Sequence, residues 1–482
     1  MKKSIRETPE RLSVKLDSTS NGEYWPTTPS PALRAAQRSA IEQAFINARR
    51  VGLSRREYLA SSCGVATVLL ALNQLGCGGG RYRVSQDAPF DKALADQVLT
   101  GKEFIFDVQT HEVSGDRIWW VSGQPSIGDF LKTTPQADCG APLWARCFTE
   151  DALIREVFLN SDTQLAVLSE LWGEPLPLFV EEAARTQERV AQLGKGRLRI
   201  HGVVQPTTAP WSKIADDMRA QVAKWQISAW KLYTVWGPKG TGWWLTDELG
   251  RKTIEHGLSL GVPLVAVHKG LPLPGMDPNY TLARDVGPVA REFSNATFLI
   301  YHSGFEPEVP EGPYNPDAQR GIDVLIRSLQ DHGIGPNGNV YAELGSTWRE
   351  VMKKPDQAAH VIGKLLKYVG EDRILWGTDS IWYGSPQDQI QAFRAFEITP
   401  EFQERFRYPA LTPQRKAKIF GLNAARIYRV DVGELKRVQR VDSVSKVKAE
   451  YANAPMPTFQ TYGPRTRRDL LKLLRFRGRM PD

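Results

Sequence analysis

Four short apolar runs in this sequence each end on a residue that could bind a metal ion. The residues at their ends are His111, His268, His302 and Asp379. In a barrel of parallel strands, the reactive groups project from the C-terminal strand ends and meet in one site. Three histidines and a carboxylate that converge there suit a divalent cation with an open position for water. The series therefore predicts a metal site at the mouth of a barrel.

From about residue 100, short β-branched runs alternate with amphipathic stretches, which is typical of βα units. Helices are predicted at 178–193, 214–225, 247–260 and 355–369. Eight strands are predicted, at 103–109, 165–169, 198–204, 229–235, 263–268, 298–303, 340–345 and 373–378. The pattern predicts an α/β fold, a (β/α)8 TIM barrel, with a leader helix before it and an extension after it. The predicted domains are a leader with linker at 1–99, the barrel at 100–430 and a basic C-terminal extension at 431–482.

The composition is that of a globular protein, with 482 residues, 41% of them hydrophobic and 24% charged. The interval from His111 to about 165 is too long for a bare loop and predicts a lid over the barrel mouth. The four cysteines show no zinc-type CxxC pairing. Cys139 and Cys147 are a possible disulfide if the protein is exported.

The segment Ser54-Arg-Arg-Glu-Tyr-Leu-Ala60 precedes a mildly apolar run from Cys63 to Leu75. About a dozen apolar residues are too few to span a bilayer comfortably but suit the apolar region of a signal peptide. The arrangement resembles a twin-arginine signal, which implies the twin-arginine export machinery as a partner and a periplasmic or exported protein. Membrane tethering follows if the leader stays uncleaved, and a cytoplasmic location follows if the signal is spurious. The alternative is an amphipathic helix from about Pro31 to Leu75 that lies on the barrel.

The net charge of +8 is concentrated in the C-terminal tail, at Arg465, Arg467, Arg468, Lys472, Arg475, Arg477 and Arg479. Leucines interleave with these charges, so the tail is predicted to be a short basic amphipathic helix. We expect it to dock on the barrel or on a sister subunit of a homo-oligomer. No nucleic-acid motif accompanies the charge, and a nucleic-acid partner is not predicted.

Several motifs together resemble the amidohydrolase superfamily, and within it amidohydrolase family 2, over about residues 100–430. They are Asp107-x-Gln-x-His111, His268, His302, Trp376-Gly-Thr-Asp-Ser380 and Asn423-Ala-Ala-Arg426. The resemblance implies a metal held by a His-x-His on strand one, a histidine on strand five and the aspartate on strand eight.

Carried onto this chain, the implied metal ligands are His111, His268 and Asp379. Gln109 stands where the first histidine would be, and its amide oxygen is a weaker, neutral donor for zinc. The metal could then be held by those three residues with waters, or by His302 in an altered site, or it could be absent.

Two residues are predicted to be catalytic. Asp379 follows an apolar run, and a buried carboxylate is costly without a cation or several donors. As a metal ligand it could also accept a proton from the attacking water. For His302 the resemblance implies contact with the reacting group or with metal-bound water. Substrate-binding roles are predicted for Lys231, Glu343 and Trp382, with a metal-bridging carbamylated Lys231 as the alternative that some superfamily branches use.

The function predicted from these residues is that of a metal-dependent hydrolase, with zinc the favoured ion. It would act on a C–N or C–O bond of a small organic substrate through metal-activated water. A non-oxidative decarboxylase on the same scaffold is the first alternative, because family 2 contains both activities. A binding barrel that has lost its metal is the second, and Gln109 is the feature that supports it.

Overall fold

The computed structural model describes residues 11–76, 78–115, 117, 119, 131, 137, 140–171, 176–237, 241–451 and 461–476. Its centre is one sheet of eight parallel strands that neighbour one another in chain order. These barrel strands, numbered one to eight below, are Phe106–Thr110, Leu165–Leu168, Leu198–Val204, Ile227–Leu232, Leu264–His268, Thr297–Tyr301, Val340–Glu343 and Ile374–Leu375. The predicted TIM barrel and its eight strands are confirmed.

The barrel closes between its first and last strands, next to the predicted site. Thr110 forms a parallel bridge with Ser380. The N–H of His111 donates to the carbonyl of Ser380 at 2.6 Å, and the N–H of Asp379 donates to the carbonyl of Gln109 at 2.9 Å. These bonds hold the ends of the first and eighth strands at the same level along the barrel axis.

The barrel strands are buried on both faces at nearly every position, as expected of parallel strands that helices cover on the outside. Strand five is buried at all five positions. It pairs with strand six in a register that sets His268 opposite Tyr301. His302 follows Tyr301 directly, so the two histidines emerge side by side at the mouth.

Amphipathic helices surround the barrel with their apolar faces inward. The longest are Val180–Leu193, Trp211–Lys224, Glu248–Ser259, Ile322–Asp331, Pro355–Lys364 and Gln387–Ala395. Shorter ones are Lys92–Leu99, Glu150–Leu153, Val286–Glu292, Thr347–Val351, Pro400–Phe406, Pro413–Ala417, Asn423–Ile427, Val432–Gln439 and Ser443–Tyr451. A small antiparallel sheet pairs Gly80–Tyr82 with Phe396–Ile398.

The predicted leader region contains three helices before residue 80, Pro31–Arg50, Arg55–Ala60 and Ser62–Asn73. Ser30 caps the first of them, and Ser54 forms a capping box with Glu57 at the second. The apolar run that could be a signal region is the third helix, and its residues lie in the same hydrophobic core as the barrel. Among the described residues, no helix combines the length and the apolar character that crossing a membrane requires. The twin-arginine signal and export stay predictions.

Residues 11–30, which we call the N-terminal strap, lie across the barrel mouth. Lys15 Nζ pairs with the buried Asp388 at 2.8 Å, and Arg349 Nη2 donates to Asp17 Oδ1 at 3.1 Å. The Ser20 N–H donates to the carbonyl of Pro464 at 2.8 Å. Tyr24 is fully buried. The strap is therefore packed into the barrel rather than laid on its surface.

The C-terminal tail contains the helix Arg467–Phe476, and Leu470 of this helix is buried in the same apolar cluster as Phe148 and Tyr462. Much of the predicted lid between 111 and 165 lies outside the described residues. Cys147 is disulfide-bonded, whereas Cys139, its predicted partner, also lies outside them. Disulfides persist in oxidising compartments, which agrees with the prediction of export without testing it.

Candidate metal centre and active site

The structure brings His111, His268, His302 and Asp379 to the same end of the barrel, where none of them is more than 1% exposed. The backbone is left-handed at His302, where φ is 66°, and at Asp379, where φ is 61°. Residues other than glycine rarely adopt this conformation, and it is held only where the surroundings enforce it. The strained strand ends turn both side chains into the mouth.

His268 and His302 each have one ring nitrogen bonded to the backbone and one directed at the site. His268 Nε2 donates to the carbonyl of Leu271 at 3.1 Å, and His302 Nδ1 donates to that of Gly345 at 2.8 Å. Burial lowers the pKa of His302 to about 4 and that of His268 well below its ordinary value, so both rings are neutral. A neutral imidazole carries one N–H. His268 Nδ1 and His302 Nε2 therefore present lone pairs to the site.

The carboxylate of Glu23, from the N-terminal strap, faces these two lone pairs. Its oxygens lie 3.6 Å from His268 Nδ1 and 3.5 Å from His302 Nε2. The three ligand atoms lie within 4.8 Å of one another. A carboxylate and two imidazole lone pairs repel each other unless a cation or a proton lies between them.

Their spacing fits a metal ion. Donor atoms about 2.0–2.1 Å from a tetrahedral zinc ion lie about 3.4 Å from each other. The separations of 3.5 and 3.6 Å between Glu23 and the two histidines are close to that value. A metal-bound histidine commonly donates its other N–H to a carbonyl, as both rings do here. The group therefore fits a divalent cation.

Asp379 and His111 form a second pair beside this group. His111 Nε2 lies 2.9 Å from Asp379 Oδ1, and His111 Nδ1 donates to the carbonyl of Ser169 at 2.6 Å. Ser346 Oγ and Asn21 Nδ2 donate to Asp379 Oδ2, the latter at 2.6 Å. Burial alone would raise the pKa of Asp379, but the hydrogen bond and charge of His111 outweigh it and lower the pKa to about 2. Asp379 is ionised at neutral pH.

Asn21 links the Glu23 group to the pair of Asp379 and His111. Its Nδ2 donates to Glu23 Oε2 at 2.6 Å and to Asp379 Oδ2 at the same distance. Gln109, by contrast, lies beside His111, with Nε2 of the amide 3.4 Å from Nε2 of the ring. Gln109 Oε1 has no hydrogen-bond partner within the described residues. The predicted set is thus divided, with His302 beside His268 and Glu23, and Asp379 and Gln109 beside His111.

The predicted substrate-binding residues also lie at the mouth. Burial lowers the pKa of Lys231 to about 8, against the opposing effect of the Glu23 and Glu343 carboxylates. The Lys231 ammonium lies 3.6 Å from the centre of the Tyr301 ring and has no hydrogen-bond partner in the described part of the chain. Trp382 stacks against His111 with ring centres 6.3 Å apart.

Glu343 acts on the backbone of the site. Its Oε2 accepts the N–H of His302 at 3.0 Å, and its Oε1 accepts that of Gly345 at 2.6 Å. Burial raises the pKa of Glu343 to about 8. The predicted substrate contact of this residue stays a prediction, whereas its hydrogen bonds position His302.

Sequence reasoning missed Asn21, Glu23 and Ser346. The two strap residues belong to a turn, Ser20-Asn-Gly-Glu23, far before the first barrel strand and without a strand or helix period. Ser346 lies just after strand seven, where its left-handed φ of 56° turns the chain back over the mouth. Only the position of Ser346, after a strand end, could have indicated a role.

An amidohydrolase family model matches residues 178–430, which is more than half of the chain. The protein therefore belongs to this amidohydrolase family. No match was found among curated proteins.

Several solved structures are similar to this chain at low identity. An uncharacterized TIM-barrel protein from Bordetella bronchiseptica is 16% identical, with 67% of this chain and 98% of that chain covered and a TM-score of 0.44. The 5-carboxyvanillate decarboxylase LigW from Sphingomonas paucimobilis is 10% identical, with 68% and 100% covered and a TM-score of 0.41. An amidohydrolase from Burkholderia multivorans with bound zinc is 14% identical, with 68% and 100% covered and a TM-score of 0.40.

Proposed function

We propose that this protein is a metal-dependent hydrolase of a small organic substrate with a scissile C–N or C–O bond. The observation that carries the proposal is the buried group of Glu23, His268 and His302, whose ligand atoms lie within 4.8 Å of one another. The ionised Asp379 lies next to this group, joined to it through Asn21. Membership of the amidohydrolase family supports the same class of chemistry.

The metal would be held by Glu23, His268 and His302, and zinc is the ion that we favour for two imidazoles and a carboxylate. Such an ion activates water and polarises the bond to be cleaved. We assign Asp379 as the acceptor of the proton that the attacking water loses, because it is ionised and is linked to the Glu23 group through Asn21. Burial of the site excludes bulk water from this transfer.

The role of His302 changes in this proposal. Its Nε2 carries a lone pair, so the ring cannot donate a hydrogen bond to an oxyanion. We assign it to metal binding instead. The Lys231 ammonium is the buried cation of the group, and we assign to it the stabilisation of negative charge that develops on the substrate.

The proposal is tested with the purified wild-type protein and Asp379→Asn. We expect about one divalent ion per wild-type chain by elemental analysis, and turnover in a screen of amides and lactones. Asp379→Asn should lower kcat by about 10²-fold or more, because the proton acceptor is lost. Asp331→Asn, on an exposed helix end, is the control and should leave kcat unchanged. Wild-type protein without metal and without turnover would favour a binding barrel and refute the proposal.

A decarboxylase is the second candidate, and the buried Lys231 ammonium is the observation that favours it. An ammonium without a hydrogen-bond partner among the described residues is suited to pair with the carboxylate of an acid substrate. Candidate aromatic acids should then release carbon dioxide, whereas hydrolysis gives a carboxylate together with an amine from an amide, or with an alcohol group and a proton from a lactone. Measuring carbon dioxide in parallel with amine and proton release separates the two reactions.

A further inference from the structure

We propose that the N-terminal strap completes the metal centre. Glu23 supplies the anionic ligand that the barrel lacks at Gln109, and metal binding is therefore coupled to the docking of residues 11–30. The inference rests on the proposed function, because it names the source of one ligand in the same centre.

A divalent cation in this group needs an anionic ligand to balance its charge. Two neutral imidazoles leave a divalent cation in a buried site without compensation, which is costly. The amide of Gln109 is neutral and cannot supply it. Asp379 is not one of the three facing groups: Ser346 and Asn21 donate to its Oδ2, and its Oδ1 faces His111 Nε2 at 2.9 Å. Glu23 is the carboxylate that faces both lone pairs.

The strap holds Glu23 in place. The N–H of Leu273 donates to the carbonyl of Glu23 at 2.8 Å. The neighbouring Tyr24 hydroxyl lies 3.1 Å from Glu350 Oε1 and 3.2 Å from the Tyr383 hydroxyl. The carboxylate itself accepts from Asn21 at 2.6 Å. A ligand held by its own main chain and by its neighbours loses little entropy when it binds an ion.

Coupling follows by linkage. A ligand that binds only the docked form stabilises that form by mass action. The cation therefore adds to the docking free energy of the strap, and docking of the strap adds to metal affinity. Cleavage after the twin-arginine-like sequence at 54–60 would remove Glu23, so the active form must retain the residues before that sequence.

The test compares Glu23→Gln with Glu42→Gln in the full chain. Glu42 is the matched control, because it is exposed on the helix Pro31–Arg50 of the same region. Zinc affinity is measured by competition with a chelator, and hydrogen exchange of residues 11–30 is measured with and without zinc. We expect Glu23→Gln to lose about 100-fold in affinity or more, as ligand loss exceeds the effect of losing a ligand's supporting contact. We also expect zinc to slow exchange in the strap of wild type and Glu42→Gln but not of Glu23→Gln.

A second variant tests the coupling without touching a ligand. Tyr24→Phe removes the hydroxyl that bonds to Glu350 and Tyr383, and it should weaken both strap protection and zinc affinity several-fold. Equal zinc affinity in wild type, Glu23→Gln and Tyr24→Phe would overturn the inference and leave the proposed function standing. A wild-type protein that binds no zinc or other divalent ion would overturn both.

Discussion

Gly377 is the position where the smallest change should disturb the site most. A Cβ atom at Gly377 would lie 1.6 Å from Glu343 Oε1 and 2.7 Å from its carboxyl carbon. Real Cβ atoms do not approach other atoms this closely, so Gly377→Ala must push the Glu343 carboxyl away. That carboxyl is fully buried and accepts the N–H groups of His302 and Gly345. Both donors would then lose their partner.

The cost can be worked from these two bonds. Burial raises the pKa of Glu343 to about 8, so the carboxyl is largely protonated at pH 7 and both bonds are those of a neutral group. A buried donor left unsatisfied costs about 1–3 kcal/mol, which gives about 2–6 kcal/mol for two. The reduced entropy of the unfolded chain returns about 0.4–1 kcal/mol. The expected loss of unfolding free energy is therefore about 1–6 kcal/mol, a large part of a typical total.

The assay is urea unfolding followed by circular dichroism, with Gly335→Ala as the control. A Cβ at Gly335 would meet no heavy atom within 4 Å, so the unfolding free energy of this variant should lie within about 0.5 kcal/mol of that of wild type. Gly377→Ala should also bind zinc more weakly, because Glu343 positions the backbone of His302. Equal unfolding midpoints for the two variants would refute the packing argument.

Two further predictions concern single residues. Gln109→His should raise zinc affinity by about tenfold or more, because imidazole is a better donor for zinc than the amide. Zinc affinity is measured by competition with a chelator. An unchanged affinity would show that the side chain at position 109 does not reach the ion. His360 is hydrogen-bonded to the Tyr408 hydroxyl at 3.0 Å among Phe402 and Phe406, and burial lowers its pKa to about 4. Between about pH 6.5 and pH 4 the unfolded chain binds a proton on this histidine that the folded chain does not. The free energy of unfolding of the wild type should therefore decrease as the pH is lowered from about 6.5 to 4. The unfolding free energy of His360→Phe should decrease less over the same pH range. Parallel curves of unfolding free energy against pH for the two proteins would contradict this.

The barrel could be predicted because each strand carries its own local signal. Strand five, for example, is an unbroken apolar run that ends on His268, and it lies within the predicted 263–268. Strand eight is regular only over Ile374–Leu375, shorter than the predicted 373–378, because Asp379 turns into a left-handed conformation soon after it. The ends of strands depend on tertiary contacts of this kind, and the periodic pattern of the sequence does not predict them.

Glu23 could not be predicted for a different reason. It acts through contacts with His268 and His302, which are remote in sequence, and nothing in its own surroundings differs from an ordinary polar turn. The run from Cys63 to Leu75 shows the converse problem. A dozen apolar residues are equally typical of a signal region and of a buried helix, and only packing distinguishes them. In the structure Val68 and Leu69 of this run are fully buried in the shared core.

The bond between Ser20 and Pro464, and the contact of 2.6 Å between the hydroxyls of Thr19 and Thr461, join distant parts of the chain above the barrel. During synthesis the strap leaves the ribosome long before these partner residues, since Thr461 lies 442 positions after Thr19. The barrel mouth can therefore reach its final arrangement only after the partner residues have been synthesised. A chain truncated before residue 461 would keep every barrel strand and yet lack the clasp that holds the strap over the histidines.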